Sequence, residues 1–206
     1  MRETQTDFRI QRSVFHDHFH TLFETPGPHN TQRTVELALA AARELGIETI
    51  VIASTTGVVA DCVLEQDLTG LHPVIVSHAY GFLEDGQNEM PQDKRRRYEQ
   101  LGIPVCTAAH PLSGAERSLS NTFGGTYPVE IVAHTLRLFG QGTKVCVEAS
   151  AIAADAGVIV PGRQIIAVGG TGNGADTALV LRPAHTNRLL ETRLDFFVCK
   201  PLRPLD

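Results

Sequence analysis

The chain contains no tryptophan, only three tyrosines and two methionines among its 206 residues. A ring sandwich built on tryptophan is therefore not available. Cations are not in excess either, with 18 basic against 23 acidic residues and a net charge of −5. A nucleic-acid surface is excluded on that ground, because phosphate neutralisation requires a basic excess. No apolar run approaches the roughly 20 residues of a membrane-crossing helix, so no membrane partner is expected. Met1 to Arg12 is polar and lacks the apolar core of a secretory signal, so the expected location is cytoplasmic. The four cysteines, Cys62, Cys106, Cys146 and Cys199, are far apart and form no C-x-x-C pair. That argues against a zinc or redox site and for reduced, buried thiols. The G-x-x-x-x-G-K-[ST] pattern is also missing, which removes ATP hydrolysis of the P-loop type.

What is present is a chain of ordinary composition, 42% hydrophobic and 20% charged. Its length suits one α/β domain. Residues 1–14 read as an N-terminal arm and 15–206 as a single domain. Phe15 to Glu24 can be extended, with Phe15, Phe19 and Phe23 on one face and His16, His18 and His20 on the other. With Asp17, these histidines could bind a metal, but their place in an arm favours none. After Pro26-Gly27-Pro28, Asn30 is an N-cap candidate and Thr34 to Leu45 a helix ended by Gly46. Short buried strands follow at 48–53, 73–77 and 103–107. Helices are expected over 58–68, 93–101, 128–139 and 143–156, with 108–127 irregular. Strands close the chain over 163–168, 176–182 and 194–199. This order predicts a three-layer α/β fold: a mostly parallel sheet flanked by helices, with antiparallel strands near the C-terminus.

Such sheets bind ligands beyond the carboxyl ends of their strands. Ser54-Thr55-Thr56-Gly57 follows a strand and opens a helix. Its hydroxyls and free N–H groups make an anion site, although a single hydroxyl there is also a normal cap. Gly169-Gly170-Thr171-Gly172-Asn173-Gly174-Ala175-Asp176 follows another strand. Gly170, Gly172 and Ala175 match G-x-G-x-x-A, but a strand comes next, so a dinucleotide fingerprint is rejected. The loop reads equally as a backbone cradle for a ligand or as a glycine hairpin.

Those two turns, with Pro26-Gly27-Pro28-His29-Asn30-Thr31 and His110-Pro111-Leu112-Ser113-Gly114-Ala115-Glu116-Arg117, resemble free-standing proteins with the pyruvate kinase C-terminal (alpha/beta, allosteric) domain fold. The resemblance spans about residues 20–200. It implies that Ser54, Thr55, Thr56 and Gly57 hold a phosphate. It also implies a ligand such as FMN or a related nucleotide, with Asn30, Thr31, His78, Arg117, Gly170, Thr171, Gly172, Gly174 and Asp176 as further contacts. No catalytic barrel is present, so pyruvate kinase activity is not expected. A flavin ring would have to be met by Phe82, Tyr80 or Tyr127.

The chemistry-bearing candidates each carry a plain alternative. His78 could contact phosphate or act in acid–base catalysis, or simply hydrogen-bond its loop. His110, with Glu116 and Arg117 behind it, could supply a base and an anion clamp. Ser113-x-x-Glu116 is equally a capping box, while Arg117 stays a ligand candidate. Glu148 and Asp155 lie two turns apart on similar helix faces, and Glu148, among apolar neighbours, needs a partner if buried. Lys94 to Arg97 reads as a solvated helix face. The function expected is binding of a small phosphorylated molecule. A non-catalytic sensor of a phosphorylated metabolite and a small hydrolase or isomerase using His110 are the alternatives. With the ligand at the strand ends, the outer helices are left available for a homo-oligomer.

Overall fold

A computed structural model describes residues 20–202. The arm and the residues Phe15, His16, Asp17, His18 and Phe19 lie outside them. The elements run β1 (Thr21–Phe23), α1 (Thr31–Leu45), β2 (Thr49–Ala53), α2 (Val58–Leu64), β3 (His72–Ser77), α3 (Gln92–Gln100), β4 (Val105–Thr107), α4 (Gly114–Phe123), α5 (Pro128–Arg137), α6 (Gln141–Asp155), β5 (Ile165–Gly169), β6 (Thr177–Arg182) and β7 (Arg193–Pro201). Short 3-10 turns occupy Pro28–Asn30 and Thr186–Glu191.

The strands form one sheet in the order β1-β7-β6-β5-β2-β3-β4. Only β6 runs against its neighbours; β2 to β5 are mutually parallel and β1 is parallel to β7. Alternation along the strands feeds two cores. Ile50 and Ile52 of β2 join Val35, Ala38 and Leu39 of α1 and Val59 and Val63 of α2. Val51 points the other way, into Cys146, Ala149, Ile152 and Ala153 of α6. Ile75 of β3 packs with Met90, Tyr98 and Ile103 beneath α3. So α1, α2 and α3 cover one face and α6 the other, giving the three layers expected.

This wiring creates a switch point. From β2 the chain steps outward through β3 to β4, then returns through α6 to place β5 on the opposite side of β2. The crevice between the carboxyl ends of β2 and β5 is where such sheets accept ligands.

Four sequence expectations need correction. Residues 108–127 are not irregular throughout, because Gly114–Phe123 is a helix. Its serines, asparagine and threonine hide the pattern, and it buries no residue of its own. α2 stops at Leu64 rather than Leu68. Asp67 there accepts hydrogen bonds from the Thr69 N–H and hydroxyl, a local turn that competes with helix. α6 begins at Gln141, so Gly142 lies inside it rather than before it. Of the thiols, Cys106, Cys146 and Cys199 are buried, but Cys62 is only half-buried.

Candidate functional site

A cleft of about 350 Å³ opens at the switch point. Its floor is Ala53-Ser54-Thr55-Thr56 after β2 and Gly170, Gly172, Asn173 and Gly174 after β5. Ser77 and His78, from the end of β3, with Phe82 and Glu89 from the following loop, form one wall. His110, Ser113 and Arg117 stand beside them, and Arg137, Gln141, Lys144 and Glu148 close the opposite side.

The β2 turn is held rigidly. Ser54 is buried, and its hydroxyl accepts the Ala60 N–H at 3.2 Å. That fastens the turn to α2 and leaves Thr55 and Thr56 half-exposed at the cleft. Gly57 adopts φ 89°, and an added Cβ would meet the Tyr98 hydroxyl at 2.7 Å. Gly57 therefore shapes the turn from behind and does not line the cleft.

The glycine loop is a hairpin joining antiparallel β5 and β6, with Gly169 opposite Thr177. Asp176 is fully buried and faces away from the cleft: it accepts the Gly27 N–H at 3.0 Å and the Thr177 hydroxyl at 2.8 Å. Thr31 donates to the Pro28 carbonyl and accepts the Ala175 N–H at 3.0 Å. Asn30 has no capping bond; its amide donates to the Thr25 carbonyl at 2.8 Å. Asn30, Thr31 and Asp176 thus lock the 25–31 turn behind the glycine loop, and Thr171 does not line the cleft. These residues lie one layer behind the cleft lining.

His78 Nδ1 lies 3.1 Å from Glu89 Oε1. The loop is pinned to it, because Asn88 donates to the His78 carbonyl at 2.7 Å and accepts the Met90 N–H at 2.9 Å. The His78, Phe82 and His110 rings form a triangle, with His110 4.8 Å from each of the other two centroids. Arg117 covers Phe82 at 5.4 Å. Burial pushes the His110 imidazole below its ordinary value; Glu148 opposes the shift, while His78, Lys144 and Arg117 add to it. Tyr80 is exposed, and neither it nor Tyr127 lines the cleft.

Glu148 is buried, as its apolar neighbours imply, and it has two partners. Lys144, one turn earlier, forms an ion pair with Oε2, and the Leu112 N–H donates to Oε1 at 2.9 Å. Burial lowers the Lys144 pKa, and the Glu148 charge pulls it back up. Asp155 does not share the site; it binds His185 at 2.9 Å and the Thr186 N–H at 3.2 Å. The Ser113-x-x-Glu116 capping box does not form. Glu116 instead caps the neighbouring helix, accepting the Val129 N–H at 2.8 Å. Lys94 to Arg97 is not a plain solvated face. Lys94 and Arg97 pair with Asp61, and Arg95 reaches the hydroxyls of Ser77 and Thr107.

Sequence reasoning missed Arg137, Gln141, Lys144 and Glu89. Lys144 had a legible signal, a cation four residues before a carboxylate that needed one. Arg137 and Gln141 had none, since they reach the cleft only through the packing of α5 on α6.

The described helices include none long and apolar enough to cross a membrane. Residues 32–181 match the family described as pyruvate kinase, alpha/beta domain. The matched span runs from α1 through β6 and contains every cleft residue named above, leaving β1 and β7 outside. With that match over most of its length, the chain belongs to the pyruvate kinase alpha/beta domain family.

Proposed function

We propose that this protein binds a small phosphate-bearing ligand in the cleft, with FMN or a related nucleotide as its specific form. The observation that carries the reading is the pairing of the cleft's cations. Lys144 is matched by Glu148, whereas Arg117 and Arg137 make no ion pair among the described residues. Two guanidinium groups in a concave site, neither of them paired with the cleft carboxylates Glu89 and Glu148, suit a phosphate dianion. Thr55 and Thr56 add hydroxyls that make no hydrogen bond within the described residues. The volume lies at the small end for ligand pockets, which favours a mononucleotide or smaller ligand over a dinucleotide.

FMN fits this donor set unevenly. Its phosphate would fall to Thr55, Thr56 and the arginines. Its ring would meet Phe82, Val58, Val59 and Leu83, a wall with a single aromatic. Bound FMN would supply hydride or single-electron transfer. Two measurements test the reading: the visible spectrum of the purified protein before and after incubation with FMN, and thermal shifts with nucleoside monophosphates and sugar phosphates. A colourless protein that takes up no FMN removes the flavin form. Silence across both panels removes the phosphate-binding reading itself.

A further inference from the structure

We propose that the cleft is catalytic, with His78 as general base in the isomerisation of a phosphorylated α-hydroxy carbonyl compound. This rests on the reading that the cleft takes a phosphate-bearing ligand. Glu89 occupies Nδ1 of His78, which leaves Nε2 as the ring nitrogen free to meet a ligand. A carboxylate on one imidazole nitrogen fixes the tautomer that makes the other a proton acceptor. The other oxygen of Glu89, Oε2, is buried with no hydrogen-bond partner among the described residues. Among the described residues, the only hydrogen bond of the Glu89 carboxylate is therefore the one to His78.

The second imidazole is His110, 4.8 Å away ring to ring, in an environment that disfavours its charged form. A neutral imidazole can polarise a carbonyl while a second group takes the proton from the carbon beside it, and His110 and His78 are placed to divide those roles. Neither ring is hydrogen-bonded to a serine, threonine or cysteine side chain among the described residues. The pair is therefore not set up to activate a side-chain nucleophile, and proton transfer on the ligand is the chemistry left to it.

The step balances without a co-reactant. His78 Nε2 takes the proton from the hydroxyl-bearing carbon beside the carbonyl. The C–H electron pair becomes the C=C bond, and the carbonyl π pair moves onto its oxygen. His110 donates to that oxygen and takes the proton of the neighbouring hydroxyl. The His78 imidazolium, held by Glu89, returns its proton to the former carbonyl carbon. Carbonyl and hydroxyl have exchanged places, while Arg117 and Arg137 retain the phosphate.

The test is proton NMR in D2O with ribose 5-phosphate, fructose 6-phosphate and dihydroxyacetone phosphate, alongside thermal shifts with the same compounds and with FMN. The wild-type protein should bind at least one sugar phosphate and exchange its carbon-bound hydrogen beside the carbonyl for deuterium. His78→Gln should lower that exchange at least about 100-fold while the thermal shift persists, the range expected for a lost general base. His78→Asn serves if the glutamine variant is unstable. Glu89 is a positioning residue, so Glu89→Gln should lower kcat with KM unchanged. Sugar phosphates that bind without exchange, or exchange that survives both His78 variants, overturn the proposal. Binding of FMN alone overturns it too, while leaving the phosphate-binding reading intact. No binding of any compound removes both.

Discussion

The Tyr98 hydroxyl of α3 lies 2.7 Å from the Asp61 carboxylate of α2, and it also reaches the Gly57 carbonyl at 3.1 Å. Asp61 further accepts from Lys94 at 2.7 Å and Arg97 at 3.3 Å. One carboxylate thus ties α3 to α2 and supports the Ser54–Gly57 turn from behind. Burial alone would raise the Asp61 pKa, but the hydrogen bonds from Lys94 and Tyr98, with the charges of Lys94 and Arg97, bring it below the ordinary 3.8. A depressed folded pKa means that this stabilisation is present above 3.8 and lost as pH falls through the folded value. Tyr98→Phe should cost about 1.5 kcal/mol, the low end for a hydrogen bond to a charged group, since it removes no ion pair. Asp61→Ala should cost about 2 kcal/mol or more, as it undoes the whole cluster. Urea denaturation midpoints at neutral pH check both.

Lys144 and Glu148 form the buried pair on the far side of the cleft. Glu148→Gln keeps an acceptor for the Leu112 N–H but leaves a buried ammonium without its counter-charge. A loss of about 3 kcal/mol is expected, and the double variant Lys144→Met/Glu148→Gln should recover most of it. A double-mutant cycle read by denaturant unfolding decides this. Independent, additive losses would mean that the pair is not coupled.

The sheet and most of its helices were legible because β2, β3 and β5 are short apolar runs and α1 is an alanine-rich amphipathic stretch closed by Gly46. The turns that line the cleft were legible for a related reason, since strand ends in such a fold face the crevice. α4 was not, because it rests on α5 and buries nothing of its own. The pairings of Lys94, Arg95 and Arg97 were equally hidden. They depend on how α3 lies across α2 and β4, which no local pattern encodes. Asn30, Thr31 and Asp176 mark the limit from the other side. Polar residues near a ligand loop look the same in sequence whether they touch the ligand or hold the loop.

The glycine loop separates two kinds of glycine. A Cβ on Gly170 would lie 2.6 Å from the Ala175 Cα and the Gly174 carbonyl oxygen, both backbone atoms that cannot swing away. Gly172 has φ 65°, yet a Cβ there meets nothing nearer than Pro28 at 4.0 Å. Gly172→Ala should therefore cost only the left-handed conformation, about 1–2 kcal/mol. Gly170→Ala should cost more than that or abolish folding, because the hairpin must open to admit the methyl. Thermal unfolding of the two variants side by side gives the order.

Arg117 and Arg137 should affect binding far more than folding. Neither holds a carboxylate in place; Arg137 donates to Gln141 Oε1 at 2.8 Å and Arg117 covers Phe82, so Arg117→Gln and Arg137→Gln should each cost about 1 kcal/mol or less in folding. Under the proposed phosphate binding, each would remove a charge-assisted contact worth about 1.5–3 kcal/mol, or roughly 10- to 150-fold in Kd. Isothermal titration with the ligand found in the thermal-shift panel measures it. The charge-preserving Arg117→Lys should recover only part of the loss, because lysine lacks the guanidinium fork.

His110 makes the fold sensitive to mild acid. Burial holds its folded pKa below the ordinary 6.5, with His78, Lys144 and Arg117 adding to that shift and Glu148 opposing it. The unfolded chain therefore binds a proton at His110 before the folded one does. Stability is at its full value above 6.5 and falls as pH drops from there toward the lower folded value. His110→Gln removes the titrating group, so the slope of unfolding free energy between pH 7 and 5 should be shallower than in the wild type. Urea titrations at half-unit pH intervals resolve the difference. Parallel slopes in the two proteins would mean that His110 titrates alike in the folded and unfolded states.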